Sequence, residues 1–292
     1  MTALLPQHFA SAHRRRYTHE RAGDLADRAV KALIAEAMLT PKPGLVDQRG
    51  SGAHHDLDLD CLLRSAQALR STFRCMALHA SVGTLGLELR EKLGAIGRHG
   101  ERRMLATTGG TNAHRGAIWV MGLLVAALAL AGTDRPTTEI AAIAARLARL
   151  PDRHAPDVPS NGSRVCRHFG VPGARGEAAG GFPHVLNIGL PTLQALRKHG
   201  VDETCARLDA LMAIMSSLDD TCLLHRGGWP AVRAAKSGAR RVLALGGTAT
   251  AAGRRALLSL DAELMRRHAS PGGCADLLAA CLLLDAVQYR EA

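Results

Sequence analysis

Four short stretches of the chain collect residues whose types could act on a charged ligand. The first is Glu36-Ala-Met-Leu-Thr-Pro-Lys-Pro-Gly-Leu-Val-Asp47, continuing through Gly50-Ser-Gly-Ala-His-His-Asp56. Leu25, Ala29, Ala32, Glu36 and Leu39 fall on one face of the expected helix, with Glu36 about 20° from Leu25 around its axis. A carboxylate at the end of an apolar stripe requires a partner. A cation such as Arg28 or Lys42 would serve, and so would a bound ion. Lys42, between two prolines, has a restricted backbone that suits a preplaced phosphate contact; a solvated loop lysine is the plainer alternative. Asp56 is a candidate acid, or a cap for the next helix with Asp58 and Asp60 in its first turn.

The second stretch, Thr107-Thr-Gly-Gly-Thr-Asn-Ala-His-Arg-Gly116, leads straight into the most apolar helix. A helix N-terminus offers free N–H groups and a positive dipole end, and glycines let a ligand approach the backbone. Asn112, His114 and Arg115 add side-chain donors, so a polyphosphate cradle is one reading and an ordinary capped helix start the other. The third, Gly173-Ala-Arg-Gly-Glu-Ala-Ala-Gly-Gly-Phe-Pro183, puts Arg175 and Glu177 together in a glycine-rich segment. They could grip a phosphate and present a carboxylate, or form a surface ion pair. In the fourth, Ser216-Ser-Leu-Asp-Asp-Thr-Cys-Leu-Leu-His-Arg-Gly-Gly228, helical spacing sets Asp219 on a face with Leu208, Met212, Met215 and Cys222. Adjacent acids Asp219 and Asp220 suit Mg²⁺. His225 and Arg226 read as an anion contact, or as charge complementing the dipole, at that helix's C-terminus. Asp276 reads as an acid favouring the start of the last helix.

The elements that must position these residues are helical. Apolar periodicity places helices at about 22–39, 58–79, 84–106, 112–131, 137–149, 188–198, 203–224, 229–237, 249–267 and 273–288. Gly/Pro-rich loops lie between them at 40–56, 107–111, 151–160, 170–184, 225–228 and 268–272. No strand alternation and no internal repeat stands out. The sequence therefore predicts an all-α fold, a single multi-helix domain of about ten helices over 22–292, preceded by a basic, flexible segment over 1–21.

Composition agrees. The chain has 292 residues, 47% hydrophobic and only 3% aromatic, which favours helices over a β-sandwich. The net charge of +11 fits anionic ligands, although only five of the 37 basic residues are lysine, a bias that genome base composition can produce. So few aromatic residues argue against a nucleic-acid partner. The seven cysteines include no CxxC pair and read as reduced core thiols in the cytoplasm. The apolar run 116–131 is shorter than the roughly 20 residues a span needs, so no membrane is expected. GxSxG, GxGxxG and GxxxxGK[ST] are all absent, which leaves a serine hydrolase, a Rossmann enzyme and a Walker-type site unsupported.

In this order, the motifs resemble the triphosphoribosyl-dephospho-CoA synthases, and the closest likeness is to the malonate decarboxylase branch. The matching residues are Glu36, Pro41 to Asp47, Ser51 to Asp56, Thr111 to Gly116, Gly173 to Glu177, Asp219-Asp-Thr221 and His225 to Gly228, covering nearly the whole chain. The run Arg49-Gly-Ser-Gly-Ala-His54 suggests the branch. One departure is Arg115, where the family often carries lysine; a planar fork replaces a point charge there.

The resemblance implies a transferase whose substrates are ATP and 3′-dephospho-CoA. Adenine is released and 2′-(5″-triphosphoribosyl)-3′-dephospho-CoA formed. That product would pass to a transferase acting on an acyl-carrier protein. Lys42, Arg115, Arg175 and Arg226 would meet phosphates, assisted by Asn112 and His114. Glu36, Asp219 and Asp220 would hold Mg²⁺. Glu177 would be the general base with Asp56 its rival, and Glu36 a further catalytic acid. A homodimer is compatible with the Leu- and Ala-rich helices. A citrate lyase-type homologue, an ADP-ribosyl-glycohydrolase-like Mg²⁺-dependent hydrolase and a non-catalytic coenzyme binder are the alternatives.

Overall fold

The computed structural model describes residues 5–288, with side chains from Thr18 onward. Helices α1 (Leu5–Ala37), α2 (Leu59–Ala68), α3 (Arg70–Val82), α4 (Leu87–Thr107), α5 (Arg115–Ala131), α6 (Thr137–Arg149) and α7 (Asn161–Phe169) come first. After them come α8 (Gly173–Ala179), a π-helical turn (Val185–Gly189), α9 (Leu190–Lys198), α10 (Glu203–Met215), α11 (Thr221–Ala244), α12 (Ala251–Arg266) and α13 (Gly272–Gln288). The all-α class expected from the sequence is what the chain forms.

Two helices make the axis of the core. In α5, Ala117, Ile118 and every position from Val120 to Ala129 are buried. In α13 the whole run Leu277–Asp285 is buried. A helix that is apolar on all sides must be surrounded, and both are. Helices α1, α3, α4, α6 and α8 pack on α5, while α1, α10, α11 and the π turn pack on α13, which also touches α5. Among the described residues no helix is long and apolar enough to cross a membrane.

The differences from the sequence expectation fall where chemistry was sought. The first helix starts at Leu5 rather than 22, so it runs back through the basic segment; residues 1–4 of that segment lie outside the described residues. Between residues 151 and 187, where no helix was expected, the chain forms α7 and α8. Their Gly and Pro content masks both helices; Ser160 caps α7 and Gly170, left-handed at φ 70, closes it. The expected helix 203–224 is two helices. Helix α10 ends at Met215, and Asp220 begins α11 by accepting from the N–H groups of Cys222 and Leu223. Helix α11 runs on through 225–227 and is broken by a kink where Gly228 takes φ 59, two residues ahead of Pro230. Asp219 is therefore in a turn, not on an apolar face. His225 and Arg226 stand near the end of the short segment of α11 before that kink, as expected.

Candidate active site

Lys42 is the largest fully buried polar side chain in the loop after α1, with 1% exposure. Its ammonium donates to Glu36 Oε1 at 2.6 Å and to the Glu36 carbonyl at 2.8 Å. The acid on the apolar stripe thus finds its cation six residues on. Around this pair the loop is fastened twice. Asp47 accepts from the Lys42 N–H and from Arg49, and Arg49 reaches Asp261 on α12 at 2.7 Å. Asp261 in turn accepts from the Gly44 N–H. Burial pushes the Asp47 carboxyl up, but Arg49 and two backbone N–H groups outweigh it and hold it below the ordinary value.

The start of α5 lies against this loop. His114 is 4% exposed, with Nδ1 2.7 Å from Ser65 Oγ on α2. Burial, and then the nearby Lys42 charge, pull its pKa down to about 4, so it works as a neutral ring at physiological pH. Asn112 is exposed and its Oδ1 accepts from the Arg115 N–H, capping the helix. Arg115 pairs with Glu101 on α4 at 2.5 Å, while its Nε is buried with no partner. Gly116 is required because a side chain there would run into the carboxylate of Asp276, in the first turns of α13. Desolvation, and then the charges of Glu36 and Asp220, push Asp276 well above the ordinary carboxyl range. It lies at the meeting point of two helix starts.

A third helix start joins them. Asp220 is 1% exposed; one oxygen caps α11 and the other accepts from the Cys274 N–H of α13 at 2.8 Å. Burial pushes its pKa up against the pull of those N–H donors. Arg226 donates to the Ala53 carbonyl and lies 2.9 Å from His54 Nδ1, so it ties α11 to the first loop. Burial, then the Arg226 charge, bring His54 down to about 4, with Asp56 opposing. Asp56 itself is exposed, 3.8 Å from His54. Asp219 pairs with Lys236 at 2.6 Å. Glu36, Asp219 and Asp220 therefore each have another partner, and among the described residues no set of three or more acids, histidines or cysteines forms a metal cage. The trio does not fit a resident Mg²⁺.

Helix α8 closes one side. Gly173 lies close to Thr221 at the start of α11, and the Ala174 carbonyl accepts from Trp119 Nε1 on α5 at 3.2 Å. Arg175 lies over the Trp119 ring at 5.6 Å, and Arg90 of α4 lies over the same ring at 5.1 Å. Arg90 is buried, its Nε has no partner, and its nearest carboxylate, Asp152 at 3.6 Å, is bound more closely by Arg98 at 2.6 Å. Burial and the charges of Arg175 and Arg98 lower the Arg90 pKa, though Asp152 opposes them. Cations outnumber acids here. Glu177, 6% exposed, accepts from His184 with both oxygens.

The structure thus draws Glu36, Lys42, His114, Arg115, Asp220 and Arg226 to the meeting helix starts, with Arg175 and Glu177 on the adjoining side. Asp56 and Asn112 lie at the surface, and Asp219 turns to Lys236. Sequence reasoning missed Arg90, Trp119 and His184 and gave Asp276 only a helix-start role. Arg90 carried the same signal as Glu36, a charge beside the apolar positions Leu89 and Leu93. A separate cavity of about 190 Å³ lies between the ends of α1 and α10, lined by Met38, Thr40 and Glu203 among others. Glu203 is neutralised there by Arg197 and Arg207, so the cavity lacks the free cations of the cleft.

Three positive helix ends, unpartnered guanidinium donors and buried acids define an α-helical enzyme built for a polyanionic substrate. The sequence profile of the family described as CitG, ATP:dephospho-CoA triphosphoribosyl transferase, matches residues 22–292. A Klebsiella pneumoniae protein named 2-(5″-triphosphoribosyl)-3′-dephosphocoenzyme-A synthase is 52% identical over 93% of this chain and 97% of its own. Relatives named as probable synthases of the same kind are 56% identical in Pseudomonas fluorescens, over 92% of each chain, and 53% in Stutzerimonas stutzeri, over 98% of this chain and 96% of that one. No solved structure matches. The chain belongs to the triphosphoribosyl-dephospho-CoA synthase family, a family of transferases.

Proposed function

We propose that the chain transfers the triphosphoribosyl group of ATP to the 2′-hydroxyl of 3′-dephospho-CoA and releases adenine. The observation that carries this reading is the convergence of the α5, α11 and α13 N-termini beside the Arg90–Trp119–Arg175 stack. That arrangement suits two polyphosphates lying side by side. Displacing a base from ribose builds positive charge on the sugar, as in glycoside cleavage, and the neighbouring carboxylates of Glu36 and Asp220 stabilise it. Asp276, beside Gly116 at the start of α5 and with its carboxyl pushed well above the ordinary range by burial, would donate to the leaving base. The proton of the attacking hydroxyl leaves on the Glu177–His184 side rather than at Asp56, because Asp56 is in water and Glu177 is not. Mg²⁺ would arrive on the ATP phosphates as part of the substrate. The run Arg49-Gly-Ser-Gly-Ala-His54 favours a product destined, through a second transferase, for the acyl-carrier subunit of a malonate decarboxylase.

The test is mass spectrometry of the protein incubated with ATP, Mg²⁺ and 3′-dephospho-CoA. Free adenine together with an adduct heavier by one triphosphoribosyl unit is expected. Adenine without the adduct would make water the acceptor and the protein a hydrolase. Neither product would leave a coenzyme-binding protein.

A further inference from the structure

Glu177 is bound in a way that a free general base is not. Its Oε1 accepts from the His184 backbone N–H at 2.8 Å, and its Oε2 lies 2.8 Å from His184 Nδ1. The two bonds together fix both the carboxylate and the imidazole plane. The chain is bent sharply to make them. Phe182 is fully buried at φ 57, a left-handed conformation that costs a bulky residue about 1–3 kcal/mol. Its N–H returns to the Glu177 carbonyl at 2.9 Å. A strained, buried residue between an acid and the histidine it holds indicates that their geometry is worth keeping.

The consequence lies on the far side of the ring. With Nδ1–H donating to the carboxylate, the lone pair of the neutral imidazole is on Nε2. Among the described residues Nε2 makes no hydrogen bond, and the His184 side chain is 21% exposed against 6% for Glu177. Arg175, which lies over the Trp119 ring, precedes Glu177 by two residues on the same short helix. A carboxylate that orients a histidine, and a histidine with its outer nitrogen free, is the arrangement by which a base is aimed and its cationic form stabilised.

We propose that His184 is the catalytic base and Glu177 its positioning residue. Resting on the transferase reading above, this assigns the proton step to a single atom. Nε2 takes the proton as the 2′-oxygen of dephospho-CoA bonds to C1 of the ATP ribose. The C1–N9 bond breaks with its electron pair leaving on adenine, which is protonated in turn. Glu177 remains ionised and stabilises the imidazolium until His184 returns its proton to solvent.

The experiment compares the wild-type chain, His184→Ala, His184→Gln and Glu177→Gln in adduct formation from ATP and 3′-dephospho-CoA, with kcat and KM separated. Both His184 variants are expected to lose about 10²–10⁴-fold in kcat with KM for ATP within about threefold. Added imidazole is expected to restore part of the His184→Ala rate, more so for more basic imidazoles, and to do nothing for Glu177→Gln. A purely structural histidine would not give that rescue. If both His184 variants form adduct within about twofold of the wild-type rate, or if His184→Ala is inactive and insensitive to imidazole, His184 is not the base. If the wild-type chain forms no adduct, the transferase reading itself falls and takes this assignment with it.

Discussion

In the 40–56 loop the buried charges are matched close at hand: Lys42 by Glu36, and Asp47 by Arg49, which is held in turn by Asp261. On the adjoining side of the cleft, Arg90 and Arg175 share one tryptophan, and the Asp152 carboxylate near Arg90 is bound more closely by Arg98. The same residue types therefore do two jobs. Where charges balance and water is excluded, they set the shape of the backbone before substrate arrives. Where cations remain in surplus and partly open, they wait for an anion. A buried pair contributes little to binding, whereas an unbalanced guanidinium contributes by gaining the partner it lacks.

The largest effect should come from breaking the balanced side. Lys42→Ala leaves the Glu36 carboxylate buried without its cation, and breaking such a pair costs about 3–5 kcal/mol. Thermal or urea unfolding is expected to show a loss of that size, and the double variant Glu36→Leu/Lys42→Met a smaller one. A loss below about 1 kcal/mol for Lys42→Ala would mean that the pair does not frame the loop and that Lys42 is held for substrate instead.

Acid should act on the same side. His114 is neutral down to about pH 4 when folded and titrates near 6.5 when unfolded. Between those values the unfolded chain binds the extra proton, so stability is fully present above about pH 6.5 and is lost as pH falls toward 4. A shift of this size corresponds to about 3 kcal/mol. His54 shifts in the same direction and adds to the slope. Unfolding measured from pH 7 to 4 is expected to show the fall, and His114→Gln to flatten it. An unchanged slope in His114→Gln would show that the ring is solvated or charged in the native chain.

The two sides also differ in how well the sequence disclosed them. Glu36 and Lys42 could be read directly, because a charge on an apolar stripe and a lysine between prolines are local signals. The helical class was equally plain in the 3.6-residue periodicity of α5 and α13. The α8 side was obscure for two physical reasons. Gly173, Gly176, Gly180 and Gly181 resemble loop chemistry, although close packing against Cys166, Pro172 and Thr221 makes the small residues at 173 and 176 necessary in a helix. The contacts of Trp119 with Arg90 and Arg175, meanwhile, join residues far apart in the chain, and no spacing rule records them. Asp219 misled for the converse reason. Its helical register with Met215 was genuine as a pattern, but Asp220 makes a better cap than a mid-helix residue and ended the helix first.

The smallest effect is expected where a surplus cation is removed. Arg175 is exposed and rests on Trp119, so Arg175→Ala should change stability by no more than about 0.5 kcal/mol. Its loss should instead be felt by the substrate: KM for ATP or for 3′-dephospho-CoA is expected to rise about tenfold, equivalent to about 1.4 kcal/mol, with kcat nearly unchanged. Whichever KM moves identifies the polyphosphate that lies along α8, and raising the salt concentration should narrow the gap between variant and wild type because the lost contact is ionic. If kcat fell and both KM values held, Arg175 would belong with Glu177 and His184 in orienting the proton transfer. The contrast between a balanced frame and an unbalanced binding face would then have to be redrawn with α8 on the side of the frame.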